Sequence, residues 1–332
     1  MTATRQSHPR FRRVGTAPRV ELTDDDKAIL ECIYRHRFVR ADDLFRLFEN
    51  RSKDKLSRRL MLLYRGGFLD RPIAQIDRFR AGGSQALVYG LDSAGARFLK
   101  ETASAPTGRT NWKARNRSFT RERLDHTLAI SRFLIDLEVA CRLRKGVSLL
   151  HADEVILSAP EVTRRLAHPL RWPVSVEFNG IRGEVHIIPD AMFGLRIARE
   201  NAPAVRSYFF LEIDRGAMTI APAKRVQESD AFLHRATILR KLVAYAESWR
   251  QNLHKQHFNI ATARVLTLTT SENRAAFMRR VAEEVVVRRL NIPAGLFLFG
   301  IQKEEDPLAV DFQDGAGRTT RLLTEDAYRL NP

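Results

Sequence analysis

The chain has 332 residues, 44% hydrophobic and 29% charged, a balance that fits a globular protein and excludes a disordered one. Its 56 Lys+Arg against 39 Asp+Glu leave a formal charge of +17, which points to a polyanionic partner, with nucleic acid the first choice. No apolar run is long enough for a membrane span, and the basic start MTATRQSHPRFRRVG lacks the apolar segment of a secretion signal, so a cytoplasmic protein without a membrane partner is expected.

The length accommodates two domains. Residues 1–120 hold 25 Lys+Arg against 13 Asp+Glu, a net of +12, so DNA contact is expected to start there. Cys32 and Cys141 each sit in an apolar, helix-like run and read as reduced core residues.

Residues 1–20 are rich in arginine, with Pro, Gly and Ser, and read as a basic flexible arm. Residues 21–101 then change period in a defined order. Thr23 is placed to cap a helix opening on Asp24, Asp25 and Asp26, with Ile29, Cys32 and Ile33 at helical spacing. A second short helix is expected over RADDLFRLF (40–48). A third opens at Ser52, turning Leu56, Leu60 and Leu63 inward and Lys53, Lys55, Arg58 and Arg59 to the polar side, until Gly66-Gly67 stops it. Two strands (68–71 and 86–91) flank a basic, Gly-rich tip with Arg78 and Arg80, and Asp92 caps a fourth helix.

Three helices, a hairpin and a closing helix make a winged helix-turn-helix, whose third helix enters the major groove while the wing lies on the adjacent backbone. Protein contact through the same fold is the competing reading. Residues 102–120 have the composition of a linker.

The second domain, 121–332, is expected to open with a helix over 124–144. Strands follow at 147–157, 174–179, 183–188 and 207–213, then a long helix over about 230–251. A strand at 264–269, a helix over about 272–288 and a strand at 296–299 complete it. In FFLEIDRG (209–216) an apolar strand ends in Glu212 and Asp214, spaced i, i+2 and so on one face, where like charges need a metal, an arginine or water between them.

The order helix, strands, helix, strand resembles the αβββαβ core of the restriction-endonuclease-like, PD-(D/E)xK fold, giving an α+β protein overall. The resemblance rests on Pro189-Asp190 and on Glu212-Ile213-Asp214 some twenty residues later. It implies a divalent ion, Mg or Mn, held by Asp190, Glu212 and Asp214, an arrangement whose hard oxygens suit Mg²⁺. The lysine of that motif is replaced by Asp214, and Lys241 on the next helix is the substitute the resemblance allows.

A second resemblance covers roughly residues 25–270. The chain is similar to the replication-relaxation family of plasmid and mobile-element proteins, through LDHTL (124–128), IPDA (188–191), EIDRG (212–216) and Lys241 with Tyr245 at i, i+4. It implies an accessory or initiation factor for plasmid replication or mobilisation within a relaxosome. Its partners are then double-stranded DNA, a relaxase or replication protein, and a second copy of itself.

Two alternatives stand beside it: a Mg-dependent endonuclease using Asp190, Glu212, Asp214 and Lys241 as catalytic residues, and a winged-helix transcriptional regulator. Each acid also has a structural reading, as an ion pair with Arg196, Arg215 or Lys241. Glu138 and Glu154 read as solvated helix and strand positions, His126 as a capping residue, and His186 as a partly buried structural one. For Lys241 and Tyr245 a solvent-facing pair is the alternative. No phosphate-binding glycine loop, CxxC pair, HExxH or GxSxG is present.

Overall fold

A computed structural model describes residues 10–13, 18–76, 86–102, 112–303 and 306–323. The chain divides into two compact units, 1–135 and 136–332. Together they form a mixed α+β protein. Among the described residues no helix is long and apolar enough to cross a membrane.

In the first unit, helix α1 (Asp24–His36) starts at a reciprocal cap: Thr23 Oγ1 accepts from Asp26 N, and Asp26 Oδ2 accepts from Thr23 N at 2.8 Å. Its inner face buries Ile29, Leu30 and Ile33 completely. Strand β1 (Phe38–Arg40), helix α2 (Ala41–Leu47) and helix α3 (Lys53–Arg65) follow. Ser52 caps α3 by accepting from Lys55 N at 3.2 Å, and Gly67, at φ 80°, ends it in a conformation that favours glycine.

Strands β2 (Leu69–Asp70) and β3 (Val88–Leu91) pair with β1 in an antiparallel sheet ordered β1-β3-β2. Asp92 caps helix α4 (Ser93–Glu101) by accepting from Ser93 N at 2.6 Å.

The expected linker differs in its second half. Residues 103–111 lie outside the described residues, whereas Trp112–Arg117 form helix α5. Trp112 is buried, its ring 5.6 Å from Tyr34 with the Arg37 guanidinium 4.6 Å above it. Asn116, also buried, donates to Asp70 Oδ2 at 2.9 Å and to the Leu91 carbonyl at 3.0 Å. One tryptophan and one amide thus anchor a stretch whose average composition is that of a linker. Helix α6 (Arg121–Arg142) follows, and the division between the units falls within it.

The second unit is built on a seven-stranded mixed sheet. After β4 (Val147–His151), α7 (Ala152–Leu157) and α8 (Glu161–Arg164), strands β5 (Trp172–Phe178) and β6 (Ile181–Ile187) form a separate two-stranded hairpin. Strands β7 (Ala191–Arg199) and β8 (Ala202–Ile213) return to the main sheet. Helices α9 (Lys224–Gln227), α10 (Ala231–His234), α11 (Ile238–Arg250) and α12 (Leu253–Phe258) lead to β9 (Arg264–Thr269). Helix α13 (Glu272–Val281) continues through a π-helical turn (Ala282–Val287) into α14 (Arg288–Leu290). Strands β10 (Phe297–Ile301), β11 (Phe312–Asp314) and β12 (Thr319–Thr320) close the unit.

The sheet order is β12-β11-β10-β9-β8-β7-β4, with β8, β9 and β10 mutually parallel and the remaining pairs antiparallel. Parallel neighbours need a crossover, and α11 and α13 lie in those crossovers.

Four expectations change here. Residues 152–157 are helical because Glu154 reaches back to accept from His151 N at 2.8 Å, closing a capping box. Residues 191–199 form a strand absent from the sequence reading: lying between β4 and β8, it is buried on both faces in its first half, so no alternation marks it. The strands over 174–179 and 183–188 pair only with each other, as the hairpin that covers α11, outside the main sheet. The long helix over 230–251 is broken, because Thr237 is extended and caps α11 by accepting from Arg240 N.

Candidate functional site

The site begins with register. Strand β8 is buried along Phe209, Phe210, Leu211, Glu212 and Ile213, flanked by β7 on one side and β9 on the other. The β7–β8 ladder pairs Ala191 with Leu211, so one step further Asp190 stands opposite Glu212. Asp190 is fixed there by its own backbone: its N–H donates to the Leu211 carbonyl at 3.0 Å, and its Oδ2 accepts from Ile213 N at 2.8 Å. Directly opposed carboxylates repel across a sheet, and a cation answers them.

That cation is Lys241. Its Nζ donates to Glu212 Oε2 at 2.5 Å, and one turn along α11 the Tyr245 hydroxyl donates to Oε1 at 2.7 Å. Both oxygens of Glu212 are therefore engaged. The Tyr245 ring is held by aromatic neighbours, with centroids 5.8 Å from Phe210 and 6.5 Å from Trp172. Tyr245 is buried and Lys241 half-buried, so the pair is not solvent-facing.

The orientation of α11 is set at its start. Ile238 N donates to the Thr219 carbonyl at 3.0 Å and Leu239 N to that of Ile220 at 2.8 Å. The first turn of the helix is thereby tied to the segment that leaves β8.

Burial raises the Glu212 carboxyl above its ordinary range, and the charge of Asp190 adds to that push; the Lys241 and Tyr245 contacts oppose it without cancelling it. Burial works against the Lys241 ammonium, but Glu212 and Asp190 outweigh it and lift its pKa above the usual lysine value. Burial together with Glu212 pushes the Tyr245 phenol well above its usual range.

Asp214 belongs to a different cluster. It lies just past the end of β8, where its N–H donates to the Leu268 carbonyl at 2.8 Å. Its Oδ2 accepts from Thr269 Oγ1 at 2.7 Å and Arg274 Nε at 2.5 Å, and its Oδ1 from Arg274 Nη2 at 3.0 Å. Gly216 N adds a fourth bond at 3.2 Å. Burial works to raise the Asp214 carboxyl, but the Arg274 and Thr269 donors outweigh it and hold it below its usual range. The two acids of FFLEIDRG thus have separate cations, Lys241 for Glu212 and Arg274 for Asp214.

This arrangement decides which residues suit a divalent ion. Among the described residues no group of three or more His, Cys, Asp or Glu is placed to hold a metal. Asp190, Glu212 and Asp214 do not converge, since Asp214 faces Arg274. Asp190 and Glu212 remain as a pair of hard donors, and Mg²⁺ is held elsewhere by one or two carboxylates with water and phosphate completing its shell. A metal on Glu212 would share its two oxygens with Lys241 and Tyr245, which already donate to them.

A cavity of about 180 Å³ opens beside the cluster. It is lined by Val185, His186 and Ile187 of β6, by Ile188 just beyond it, by Glu212, and by Arg240, Lys241, Ala244 and Tyr245 of α11. His186 is exposed rather than partly buried, because Val185 and Ile187 are the residues the hairpin turns inward. Glu138 pairs with Arg142 at 2.5 Å and lies 3.6 Å from His151 Nε2.

In the first unit, Lys53, Lys55 and Arg58 are exposed along α3. Arg59 is turned inward: its Nε donates to Asp26 Oδ1 at 2.6 Å and its Nη2 to the Glu21 carbonyl at 2.6 Å, with a further contact to Asp26 Oδ2. It ties α3 to α1. The wing residues Arg78 and Arg80 lie outside the described residues.

Arg274, Thr269 and Arg240 are the residues that the sequence reading missed. Strands β8 and β9 are parallel, so their C-terminal ends and the start of α13 share one sheet edge, which brings Arg274 to Asp214.

A family model described as Replication-relaxation matches residues 30–264. That span includes Asp190, Glu212, Asp214, Lys241 and Tyr245 and ends before Thr269 and Arg274. No curated protein and no solved structure gives a match.

Proposed function

Since this chain belongs to the replication-relaxation family, we propose that it is a DNA-binding accessory or initiation factor for the replication or mobilisation of a plasmid or other mobile element. The observation that carries the reading is the row of exposed cations Lys53, Lys55 and Arg58 on α3. The element order of the unit that bears them, three helices with a β1-β3-β2 sheet, supports a winged-helix reading. In that arrangement α3 is the groove helix, and its basic side chains neutralise phosphates. A relaxase or replication protein on the same DNA, and a second copy of this chain, are the partners the reading implies.

The test is a titration of labelled duplex DNA at several salt concentrations. Each phosphate contact contributes about 0.9 to the slope of log affinity against log salt. Lys55→Gln and Arg58→Gln should each lower the slope by about that amount. Equal slopes in wild type and both variants would remove α3 from the DNA interface. Binding confined to one palindromic site before its own gene would favour a transcriptional regulator instead.

One observation favours a second reading, an endonuclease-like domain acting on phosphodiesters: Asp190 just before β7, Glu212 on β8 and Lys241 on α11 come together as two carboxylates and a lysine. A divalent ion there would take Asp190 and Glu212 as ligands and would supply charge neutralisation and an activated water. Supercoiled plasmid incubated with Mg²⁺ or Mn²⁺ separates the readings. Nicking that is lost in Asp190→Ala and in chelator makes the domain a nuclease. Plasmid shifted on a native gel but left intact makes it a scaffold.

A further inference from the structure

We propose that residues 10–13, clamped to the first unit by Arg13 and Arg71, form a second DNA contact, in which the exposed Arg10 and Arg12 meet duplex phosphates beside the wing. This rests on the DNA-binding reading above and adds to it a surface that α3 does not supply.

Arg13 is the anchor. Its Nε donates to the Tyr64 carbonyl, in the last turn of α3, at 2.6 Å. Its Nη2 donates to the Leu69 carbonyl of β2 and to Asp92 Oδ2, each at 2.6 Å. Asp92 thereby serves twice, since its Oδ1 caps α4. The buried Arg71 holds the other end of the segment: its Nη1 donates to the Arg10 carbonyl at 2.7 Å and its Nη2 to the Tyr89 hydroxyl at 3.1 Å. Both guanidinium groups also lie on the Tyr64 ring, Arg13 at 4.8 Å and Arg71 at 4.2 Å from its centroid. The arm expected to be flexible is, over these four residues, tied to α3, β2 and the cap of α4.

The contacts give the segment a direction. Strand β2 is at the edge of the β1-β3-β2 sheet. The Phe68 carbonyl accepts from Asp92 N at 2.9 Å on the β3 side, so the next carbonyl, that of Leu69, faces the open edge where Arg13 meets it. Arg10 meets Arg71, just past the end of β2, whereas Arg13 meets Leu69 at its start. The segment therefore runs opposite to β2 and brings Arg10 to the end that leads into the wing. A winged helix sets its wing on the DNA backbone beside the groove helix.

Charge and order fit the same partner. Arg10 and Arg12 are exposed. The acids on this edge are engaged, Asp92 by Arg13 and Asp70 by the Asn116 amide at 2.9 Å. An ordered pair of cations does not lose chain entropy again on binding, which favours contact with a regular row of phosphates. Arg13 is then a positioning residue, and Arg12 and Arg10 are the contacts.

The full chain is titrated with labelled duplex DNA across a salt series. Arg12→Gln should lower the salt slope by about 0.9, the value for one duplex phosphate, and leave the melting temperature unchanged. Arg10→Gln keeps the carbonyl that Arg71 holds and should do the same. Arg13→Met should weaken binding by releasing the segment, and adding Arg12→Gln to it should cause little further loss, because both act through one contact. Arg12→Gln lies outside the clamp and carries the test should Arg13→Met fail to fold.

Wild-type slopes in Arg10→Gln and Arg12→Gln would overturn the contact, and the DNA-binding reading would stand alone if Lys55→Gln still lowered the slope. Fully additive losses in Arg12→Gln and Arg13→Met would overturn the clamp. A wild-type chain that does not bind duplex would end both readings.

Discussion

Lys241 Nζ lies 2.5 Å from Glu212 Oε2 across 29 residues of chain, a buried carboxylate meeting a half-buried ammonium. Removing one partner of such a pair leaves the other charge without compensation. Lys241→Met should cost about 2 to 3 kcal/mol, toward the low end for a broken buried pair because the lysine keeps some solvent. Glu212→Leu combined with Lys241→Met should be less destabilising than Lys241→Met alone. A denaturant double-mutant cycle reads the coupling, and additive effects would contradict the pairing.

The Tyr245 hydroxyl tests a different component. Its ring belongs to the aromatic cluster with Phe210 and Trp172, so Tyr245→Phe keeps the packing and deletes only the donor to Glu212. The expected loss is about 1 to 2 kcal/mol with no change in Trp172 near-ultraviolet signal. A large spectral change would mean that the hydroxyl also organises the core.

Asp214 sets an acid limb on stability. Its folded pKa lies below the ordinary aspartate value of 3.8. Its contribution is therefore complete above the unfolded value and is lost as pH falls below 3.8 through the folded one. Arg274→Met should bring acid unfolding on at higher pH, and Asp214→Asn should flatten the stability curve in that window. Thermal melts between pH 2 and 6 measure both.

Arg59 and Lys55 are neighbours on α3 with opposite predicted effects. Arg59 is bound to Asp26, which is fully buried. Arg59→Gln should therefore destabilise the first unit, by about 2 kcal/mol, and leave the salt slope of DNA binding intact. Lys55→Gln should do the reverse. Melting temperature and salt slope measured on the same two variants decide the assignment.

Much of the first unit was legible because its signals are local. Thr23, Ser52 and Asp92 each cap a helix where the sequence places a capping residue, and Gly66-Gly67 stops α3. Helical spacing gives the side of α3 on which Arg59 lies but not Asp26, its partner, which arrives from α1. In the second unit, β9 is a short apolar run bounded by turns and was read over its true span. Strand β7 was invisible because burial on both faces erases alternation.

The same limit governed the site. The spacing of Glu212 and Asp214 raised the correct question, what neutralises two adjacent acids. Lys241 was within reach of the sequence, because the helix after β8 returns along the sheet. Arg274 was not, because its meeting with Asp214 depends on β8 and β9 being parallel neighbours, a relationship between strands more than fifty residues apart.

The anchoring of α11 to Thr219 and Ile220 has a consequence for how this protein tolerates change in length. Residues 221–237 leave and return to nearly the same point, so they form a closed excursion on the chain. Residues gained or lost within it need not move Lys241 or Tyr245, whose positions are fixed downstream of the clamp. Arg240 is different, since it leans on the Leu233 carbonyl inside that excursion. Variation there would retune the arginine while sparing the lysine beside it.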